Sequence, residues 1–227
     1  MLLQAYQMLH RAVGDRLKAP GASIIVHGAA GGTGAMLVKL ALLAGVAPDR
    51  IFGTCSARKL DVVRSMGVVA LNYEDKAAPW DKHVLKVTSG KGVSVVYDAI
   101  VTADSYFARG FACLARGGKY VAFGVTNSAA PGVMNTPQIV TAFIRLMFRN
   151  NIWSCIDGKA GEFYHVAERR DKYPEEFAAD VRTLMELVAN GTLQPLVGRT
   201  WTFDEVPQAL VSIAKGEHHG KQVVVMK

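Results

Sequence analysis

The stretch "HGAAGGTGAMLVKL", residues 27–40, carries four glycines between positions 28 and 34 and then turns apolar. Before it, the β-branched run "SIIVH" (23–27) predicts a short strand, and the residues after it predict a helix over 35–44. Glycine is costly inside regular structure, so this cluster indicates a special turn or a close ligand. A strand, a glycine turn and a helix N-terminus together predict an anion-binding site, because free backbone N–H groups and the positive end of the helix dipole meet there.

The spacing of the glycines favours the pyrophosphate of a dinucleotide as the anion. In the pattern G-x-G-x-x-G, Gly31 and Gly34 take the second and third places, and Ala29 replaces the first glycine. Gly31 would let the backbone approach a pyrophosphate, and Gly34 would let the helix pack closely on the strand. A mononucleotide loop would end in Gly-Lys-Ser/Thr, whereas Ala35 follows Gly34. The alternative is a glycine turn that serves the structure alone.

The end of the second predicted strand bears on the choice of cofactor. An Asp or Glu about 20 residues beyond the glycines would bind the ribose 2′-hydroxyl of NAD. Here the strand "RIFGTC" (50–55) is followed by Ser56, Arg58 and Lys59, with no acid at the strand end. A hydroxyl and two cations favour a 2′-phosphate, so the pattern predicts NADPH over NADH. The alternative is an ordinary solvated helix start.

Strand-like and helix-like segments alternate up to residue 124, which predicts a Rossmann-type, doubly wound parallel α/β sheet with helices on both faces. Strands are predicted at 23–27, 50–55, 68–72, 93–100 and 119–124, and helices at 35–44, 57–66, 79–88 and 104–115. Asp98, near the end of the fourth strand, fits a site residue and a helix cap equally well.

The regular alternation of predicted strands and helices ends after residue 124. After the loop "TNSAAPGVMNTP", the run "QIVTAFIRLMFRN" predicts an apolar helix, and "NIWSCI" (151–156) is interpreted as a sixth strand. An amphipathic helix is predicted in "YPEEFAADVRTLMELVANG", closed by Asn190-Gly191. The tail predicts a strand, a helix, a turn and a strand.

Composition excludes several classes of protein. The chain has 227 residues, 50% hydrophobic and 20% charged, which is enough to bury a sizeable core. Its formal charge of +7 is scattered, which favours a solvated surface over a nucleic-acid face. No apolar run is long enough to span a bilayer and no signal peptide is evident, so no membrane partner is predicted.

The cysteines and histidines point to a reducing compartment and to no metal site. Cys55, Cys113 and Cys155 lie far apart and fit neither a disulfide framework nor a zinc site, so the cytoplasm is predicted. The adjacent His218 and His219 fit a solvated turn better than a metal site.

Several motifs follow one another along the chain: "QAYQMLHRAV", "VHGAAGGTGAMLVKLALLAGV", "GTCSARK", "GKGVSVVYDAI", "GGKYVAFG" and "GKQVVVM". Together they resemble the medium-chain dehydrogenase/reductase superfamily, and within it the zinc-free quinone oxidoreductase (zeta-crystallin-like) branch. The Ala-Ala-Gly-Gly-x-Gly form of the turn is typical of that branch. Where the family often reads "DAIGG", this chain reads "DAIVT".

The resemblance implies a set of NADPH-binding residues in three groups. The pyrophosphate would be held by Ala30, Gly31, Gly32, Thr33 and Gly34. The adenosine 2′-phosphate would be held by Ser56, Lys59 and Tyr73, and the nicotinamide end would lie near Ile100, Phe123, Gly124 and Val125. Because the cofactor does the chemistry in such reductases, the resemblance identifies no catalytic acid or base in this chain.

The resemblance also implies the domain organisation and the activity. Residues 1–192 would form the NAD(P)-binding domain, and residues 193–227 would be a return segment completing a GroES-like substrate domain to which nothing here corresponds. The chain would then be either a fragment of a longer protein or a naturally shortened relative. The full enzyme would transfer hydride from NADPH to a quinone, enone or similar electron-poor alkene, without zinc. The 227-residue chain alone is expected to bind NADPH, to turn over quinones poorly and to form a homodimer. The alternative is a non-catalytic NADPH-binding or protein-interaction module.

Overall fold

A six-stranded parallel sheet forms the centre of the computed structural model, which describes residues 1–100, 104–124, 136–148 and 154–226. Its strand order, β3-β2-β1-β4-β5-β6, is typical of doubly wound dinucleotide-binding folds. Every neighbouring pair in it is parallel. The strands are β1 (Ile24–His27), β2 (Ile51–Cys55), β3 (Val69–Asn72), β4 (Val93–Asp98), β5 (Leu114–Ala122) and β6 (Ala160–Phe163). The predicted fold class is confirmed.

The helices that accompany this sheet lie before, between and after its strands. They are α1 (Leu2–Gln7), continued by a π-helical turn (Met8–Ala12), α2 (Gly32–Leu43), α3 (Leu60–Arg64), α4 (Trp80–Val87), α5 (Asp104–Ala112), α6 (Thr136–Phe148), α7 (Ser154–Asp157), α8 (Val166–Lys172) and α9 (Pro174–Ala189). Short 3₁₀ turns occupy Gly14–Leu17, Pro48–Arg50 and Ala57–Lys59. Within the described ranges, no helix has the length and apolar character needed to cross a membrane.

The central strands are buried on both faces, which explains their nearly continuous apolar sequences. All residues of β1 and β2 are buried. Side chains of a strand alternate between the two faces, so Ile24 and Ile25 belong to different apolar clusters. One cluster includes residues of α1, α2, α3 and α9, and the other includes residues of α4, α5 and α6. Helices therefore cover both faces of the sheet, as predicted.

The C-terminal segment forms a second, smaller sheet. Strand β7 (Val197–Thr202) pairs in parallel with β8 (Lys221–Val225), and helix α10 (Val206–Ala214) connects them after a 3₁₀ turn at Phe203–Glu205. The predicted order of strand, helix, turn and strand is confirmed. This segment also touches the glycine turn, because Gly220 N–H donates to the Ala30 carbonyl at 2.8 Å.

The sixth strand of the main sheet does not lie where the sequence predicted it. "NIWSCI" was the wrong segment, because Ser154–Asp157 forms helix α7 and residues 151–153 lie outside the described ranges. The strand is β6, "AGEF", which pairs with β5 from Lys119↔Ala160 to Ala122↔Phe163. It is too short and too polar for its pattern to predict a strand, and its pairing with β5 defines it.

Two further boundaries differ from prediction. Strand β5 begins at Leu114 and not at residue 119. The preceding helix therefore ends at Ala112 and not at residue 115. Val93 of β4 pairs with Leu114, whereas Val95 pairs with Lys119, so β5 has extra residues between these two pairs. Gly117, at φ +79°, is one of them. The helix predicted over 57–66 is a 3₁₀ turn followed by the short α3.

Candidate functional site

The predicted site residues lie at the carboxyl ends of the strands of the main sheet. After β1 the chain crosses to β2, and after β3 it returns to β4 on the other side of β1. In open α/β sheets, ligands bind where the strand order reverses, beyond the carboxyl ends of the strands. The glycine turn follows β1, Ser56 follows β2, Tyr73 follows β3, Ile100 follows β4, and Phe123 and Gly124 follow β5. Val125 lies outside the described residues.

The glycine turn is anchored to the neighbouring strand and packed tightly on itself. The N–H groups of Gly28 and Ala29 both donate to the Thr54 carbonyl, each at 3.1 Å. Gly28 has φ +72°, a conformation that favours glycine. A Cβ at Gly34 would lie 2.3 Å from the Gly28 carbonyl oxygen, so glycine at 34 is required for the start of α2 to approach the turn.

The start of helix α2 presents hydrogen-bond donors. Gly31 N–H donates to the Gly28 carbonyl at 2.9 Å. Gly31 forms a parallel bridge with Gly220, so the Gly220 carbonyl lies beside Gly32, whereas the N–H groups of Thr33 and Gly34 lie in the first turn of α2 and have no intrahelical acceptor. The positive end of the helix dipole adds to their attraction for an anion. The turn therefore has the donors that a pyrophosphate requires.

The space beside the turn is partly filled by the two ends of the described chain. A Cβ at Gly32 would lie 2.9 Å from the Met1 terminal methyl group and 3.5 Å from the Gly220 carbonyl oxygen. A cavity of about 240 Å³ adjoins this point, lined in part by Met1, Gly32 and Lys221. The first helix and the strand β8 thus bound one side of the glycine turn.

Ser56, Lys59 and Tyr73 come together at the ends of β2 and β3. Ser56 is buried, and its hydroxyl shares a hydrogen bond with that of Tyr73. Lys59 N–H donates to the Ser56 carbonyl at 2.9 Å, and Tyr73 N–H donates to the Cys55 carbonyl at 3.1 Å. Burial, aided by the charge of Arg58, lowers the pKa of Lys59. Two hydroxyls and an ammonium group therefore surround this strand end.

An acidic residue that the sequence analysis missed lies at the same point. The Glu74 carboxylate accepts a hydrogen bond from Ala57 N–H at 3.1 Å. No acid follows β2 directly, as predicted, but β3 brings one to its side. The signal was available, because Glu74 stands two residues beyond the predicted third strand and the carboxyl ends of parallel strands meet at one edge.

Strands β4 and β5 define the other half of the edge. A Cβ at Gly124 would lie 2.8 Å from the Ala99 carbonyl oxygen, so the two strand ends approach closely there. The Phe123 carbonyl accepts a hydrogen bond from the Gln4 side-chain amide at 3.3 Å. Ile100, Phe123 and Gly124 thus lie at the carboxyl ends of β4 and β5.

Buried polar groups lie beneath this edge. The Asp98 carboxylate accepts hydrogen bonds from Ile100 N–H, at 2.7 Å, and from the Tyr120 hydroxyl. These bonds hold the strand end, which assigns Asp98 a structural role. The His27 ring bonds the Thr54 hydroxyl at 2.9 Å, and burial lowers its pKa, so the imidazole is neutral at pH 7.

The described residues hold no cluster of three or more His, Cys, Asp or Glu side chains that could bind a metal ion. Cys55 and Cys113 are buried thiols, and burial raises their pKa values to about 11 and about 12. Neither is therefore ionised at neutral pH, so neither is suited to act as a thiolate ligand.

Two curated relatives align with 91% of this chain. The phenolphthiocerol synthesis polyketide synthase type I Pks15/1 of Mycobacterium marinum is 28% identical over 208 residues, which are 9% of that protein. The synaptic vesicle membrane protein VAT-1 of Tetronarce californica is 28% identical over 207 residues, which are 51% of its length. The chain thus spans about a tenth of the first relative and about half of the second.

Three solved structures share the fold. The CurK enoyl reductase has a TM-score of 0.73 at 23% identity, with 100% of this chain and 60% of that chain covered. Mycobacterial Rv1454c complexed with NADPH has a TM-score of 0.74 at 22% identity, with 99% and 62% covered. The Pseudomonas syringae quinone oxidoreductase has a TM-score of 0.72 at 20% identity, with 98% and 61% covered.

The family model for zinc-binding dehydrogenases matches residues 68–224, which is more than half of the chain. The solved folds include enoyl reductases and quinone oxidoreductases, in agreement with the resemblance drawn from the sequence motifs. The chain therefore belongs to the zinc-binding dehydrogenase family.

Proposed function

We propose that this domain binds NADPH at the carboxyl edge of its sheet and serves an oxidoreductase. The observation that carries the proposal is the N-terminus of α2, whose first-turn N–H groups follow the glycine turn at the point where the strand order reverses. With Ala30 and Gly31, they would hold the pyrophosphate. The NADPH bound to the similarly folded Rv1454c supports this choice of cofactor.

The two ends of the dinucleotide would be held on either side of the glycine turn. Ser56, Lys59 and Tyr73 would bind the adenosine 2′-phosphate, because a phosphate gains charge-assisted hydrogen bonds from an ammonium group and hydroxyls. Ile100, Phe123 and Gly124 would border the nicotinamide, and Val125 is included on the resemblance alone. When bound, NADPH supplies a hydride, and this chain's residues position it.

The proposed acceptor is a quinone, an enone or a similar electron-poor alkene, reduced without zinc. The similar folds of an enoyl reductase and a quinone oxidoreductase support this class. We propose residues 1–192 as the cofactor domain and 193–227 as a segment that contributes to a substrate domain in the full-length enzyme. The exposed apolar side chains of that segment, including Phe203, Leu210 and Met226, support this division.

Isothermal titration of the purified chain with NADPH and NADH tests the cofactor. We expect saturable NADPH binding, tighter than NADH binding, and the absence of NADPH binding would contradict the proposal. Quinone and enone reduction is then measured on the full-length protein. Tight NADPH binding with no reduction of any such acceptor would favour the alternative, a non-catalytic NADPH-binding module.

We further propose that two copies associate through the β6 side of the main sheet. Among the described strands, β6 is the last on this side, and helix α6 beside it exposes Phe143, Ile144, Met147 and Phe148. Edge strands and apolar patches of this kind promote association. Light scattering at micromolar concentration should give a dimer mass, and Met147→Glu should lower it. A monomeric mass for the unsubstituted protein would contradict the proposal.

A cytoplasmic location is the third part of the proposal. Cys55, Cys113 and Cys155 are all unpaired, and Cys155 is exposed. Free thiols of this kind are typical of reducing compartments. Fractionation of cells that express a tagged full-length protein checks this location, and a secreted product would contradict it.

A further inference from the structure

Glu74 stands where the proposed function places the 2′-phosphate. Its carboxylate oxygen Oε2 accepts the Ala57 N–H at 3.1 Å, and its own N–H donates to the Asn72 side-chain oxygen at 2.9 Å. The second bond fixes the backbone of Glu74 at the end of β3. Burial raises the pKa of the Tyr73 hydroxyl, and the charge of Glu74 raises it further, which agrees with the proximity of the two side chains.

The donor that Glu74 occupies belongs to the proposed phosphate site. Ala57 lies in the chain between Ser56 and Lys59, two of the residues assigned to the 2′-phosphate. A phosphate bound by them would compete for the Ala57 N–H, because its oxygens accept backbone N–H bonds strongly. Two anions on one donor repel each other. Glu74 is exposed, so its carboxylate can turn into water when a phosphate arrives.

Resting on the proposed function, we infer that Glu74 sets the degree of preference for NADPH. In the free domain the carboxylate satisfies Ala57 N–H, and it must leave that donor when a 2′-phosphate binds. A cofactor with a 2′-hydroxyl leaves the bond in place. Glu74 thus weakens the binding of the 2′-phosphate to Ser56, Lys59 and Tyr73. It therefore lowers the ratio of NADPH affinity to NADH affinity.

Two ligands that differ by a single group isolate this effect. Isothermal titration of the full chain compares 2′,5′-ADP, which carries the 2′-phosphate, with 5′-ADP, which lacks it. Glu74→Gln removes the charge and retains an oxygen that can accept the Ala57 N–H. Asp75→Asn is the matched control, because it removes one negative charge from the next residue, whose carboxylate bonds Ala77 and Ala78 instead.

Glu74→Gln should strengthen binding of 2′,5′-ADP about tenfold, since one close charge repulsion is removed. Its affinity for 5′-ADP should stay within about twofold, and Asp75→Asn should change both affinities by less than about twofold. Thermal unfolding of each variant confirms that it folds.

The possible failures are distinguishable. If the unsubstituted chain binds 2′,5′-ADP and Glu74→Gln leaves the ratio of the two affinities unchanged, the inference about Glu74 is overturned and the proposed function stands. An equal gain for both ligands overturns it too. If the unsubstituted chain binds neither of these ligands nor NADPH, the proposed function fails and takes the inference with it.

Discussion

The chain contains two sheets of parallel strands with crossover helices, and they differ in how their faces are covered. In the six-stranded sheet, every residue of β1 and β2 is buried beneath helices on both sides. In the two-stranded sheet, Trp201 is the one buried residue of β7, and β8 has none. Helix α10 itself exposes Leu210 and Val211. The same local pattern of strand and helix therefore gives a packed core in one place and an open apolar surface in the other.

The difference shows what determines stability in this fold. A parallel pair of strands is stabilised chiefly by the layers that cover it, since burial of apolar area is the main favourable term. The larger sheet has those layers within the described chain. Substitutions in it should therefore be costly, and equivalent substitutions in the smaller sheet should leave the larger one intact.

The largest effect is expected at the glycine turn that begins the larger unit. Gly34→Ala places a Cβ 2.3 Å from the Gly28 carbonyl oxygen, a backbone atom that cannot move without displacing β1. We expect a loss of about 3 kcal/mol or more in the free energy of unfolding. Gly32→Ala is the control, because its Cβ meets the flexible end of Met1, and it should cost less than about 1 kcal/mol. Urea unfolding of both variants measures this, and equal costs would refute the packing argument.

The second effect compares the two sheets directly. Phe52, in β2, is fully buried, and Phe52→Ala should lower the free energy of unfolding by about 3–5 kcal/mol. Trp201 in β7 is buried under the Arg199 guanidinium, 3.7 Å from the ring centre, and bonds Gln222 at 2.7 Å. Trp201→Ala should open the smaller sheet but change the main transition by less than about 1 kcal/mol.

Hydrogen exchange resolves the second prediction by strand. In Trp201→Ala, amide protection should fall in β7 and β8 and persist in β1, β2 and β4. A loss of protection in both sheets together would show that they unfold as one unit, and the contrast drawn between them would be wrong.

The sequence predicted the parts of the fold that a local pattern encodes. Continuous apolar runs such as "SVVYD" predicted buried parallel strands, and the glycine spacing predicted the close approach at Gly34. Strand β6 could not be predicted, because "AGEF" becomes a strand through its pairing with β5 and an ion pair between Lys119 and Glu162 at 2.5 Å. Glu74 was predictable as a residue at the end of β3, but its hydrogen bond to Ala57 was not, because the two residues are 17 positions apart in sequence.

The third effect concerns affinity and leaves the fold unchanged. We expect Lys59→Glu to weaken NADPH binding about ten- to a hundredfold, because an anion replaces the cation proposed for the 2′-phosphate. NADH binding should change little, and Lys59→Ala should have a smaller effect of the same sign. Lys215→Glu, an exposed charge reversal after α10 in the smaller unit, is the matched control. Equal losses in Lys59→Glu and Lys215→Glu would indicate a general charge effect and contradict the assignment of Lys59.

The smallest expected effect is a decrease in the free energy of unfolding of the larger sheet in mild acid. Burial lowers the pKa of His27, with the charge of Asp98 opposing this shift and that of Arg109 adding to it. Partial desolvation also lowers the pKa of His10 on the π-helical turn, against the opposing charge of Asp180, but His10 is exposed and solvent screening makes its contribution the smaller one. The unfolded chain binds protons at these histidines near pH 6.5, whereas the folded chain does not until the pH is lower. Stability should therefore be constant above about pH 7 and fall as the pH drops below about 6.5.

Each such histidine contributes a slope of at most about 1.4 kcal/mol per pH unit. Urea unfolding at pH 7.5, 6.5 and 5.5 measures the slope, and the Asp and Glu side chains titrate mostly below this window. His27→Gln removes one titrating group and should reduce the loss between pH 6.5 and 5.5 by about 1 kcal/mol, whatever its cost at pH 7.5. An unchanged slope in this variant would mean that the imidazole of His27 is protonated as readily in the folded sheet as in water. The complete burial of His27 at the end of β1, against the Trp80 ring, argues against this.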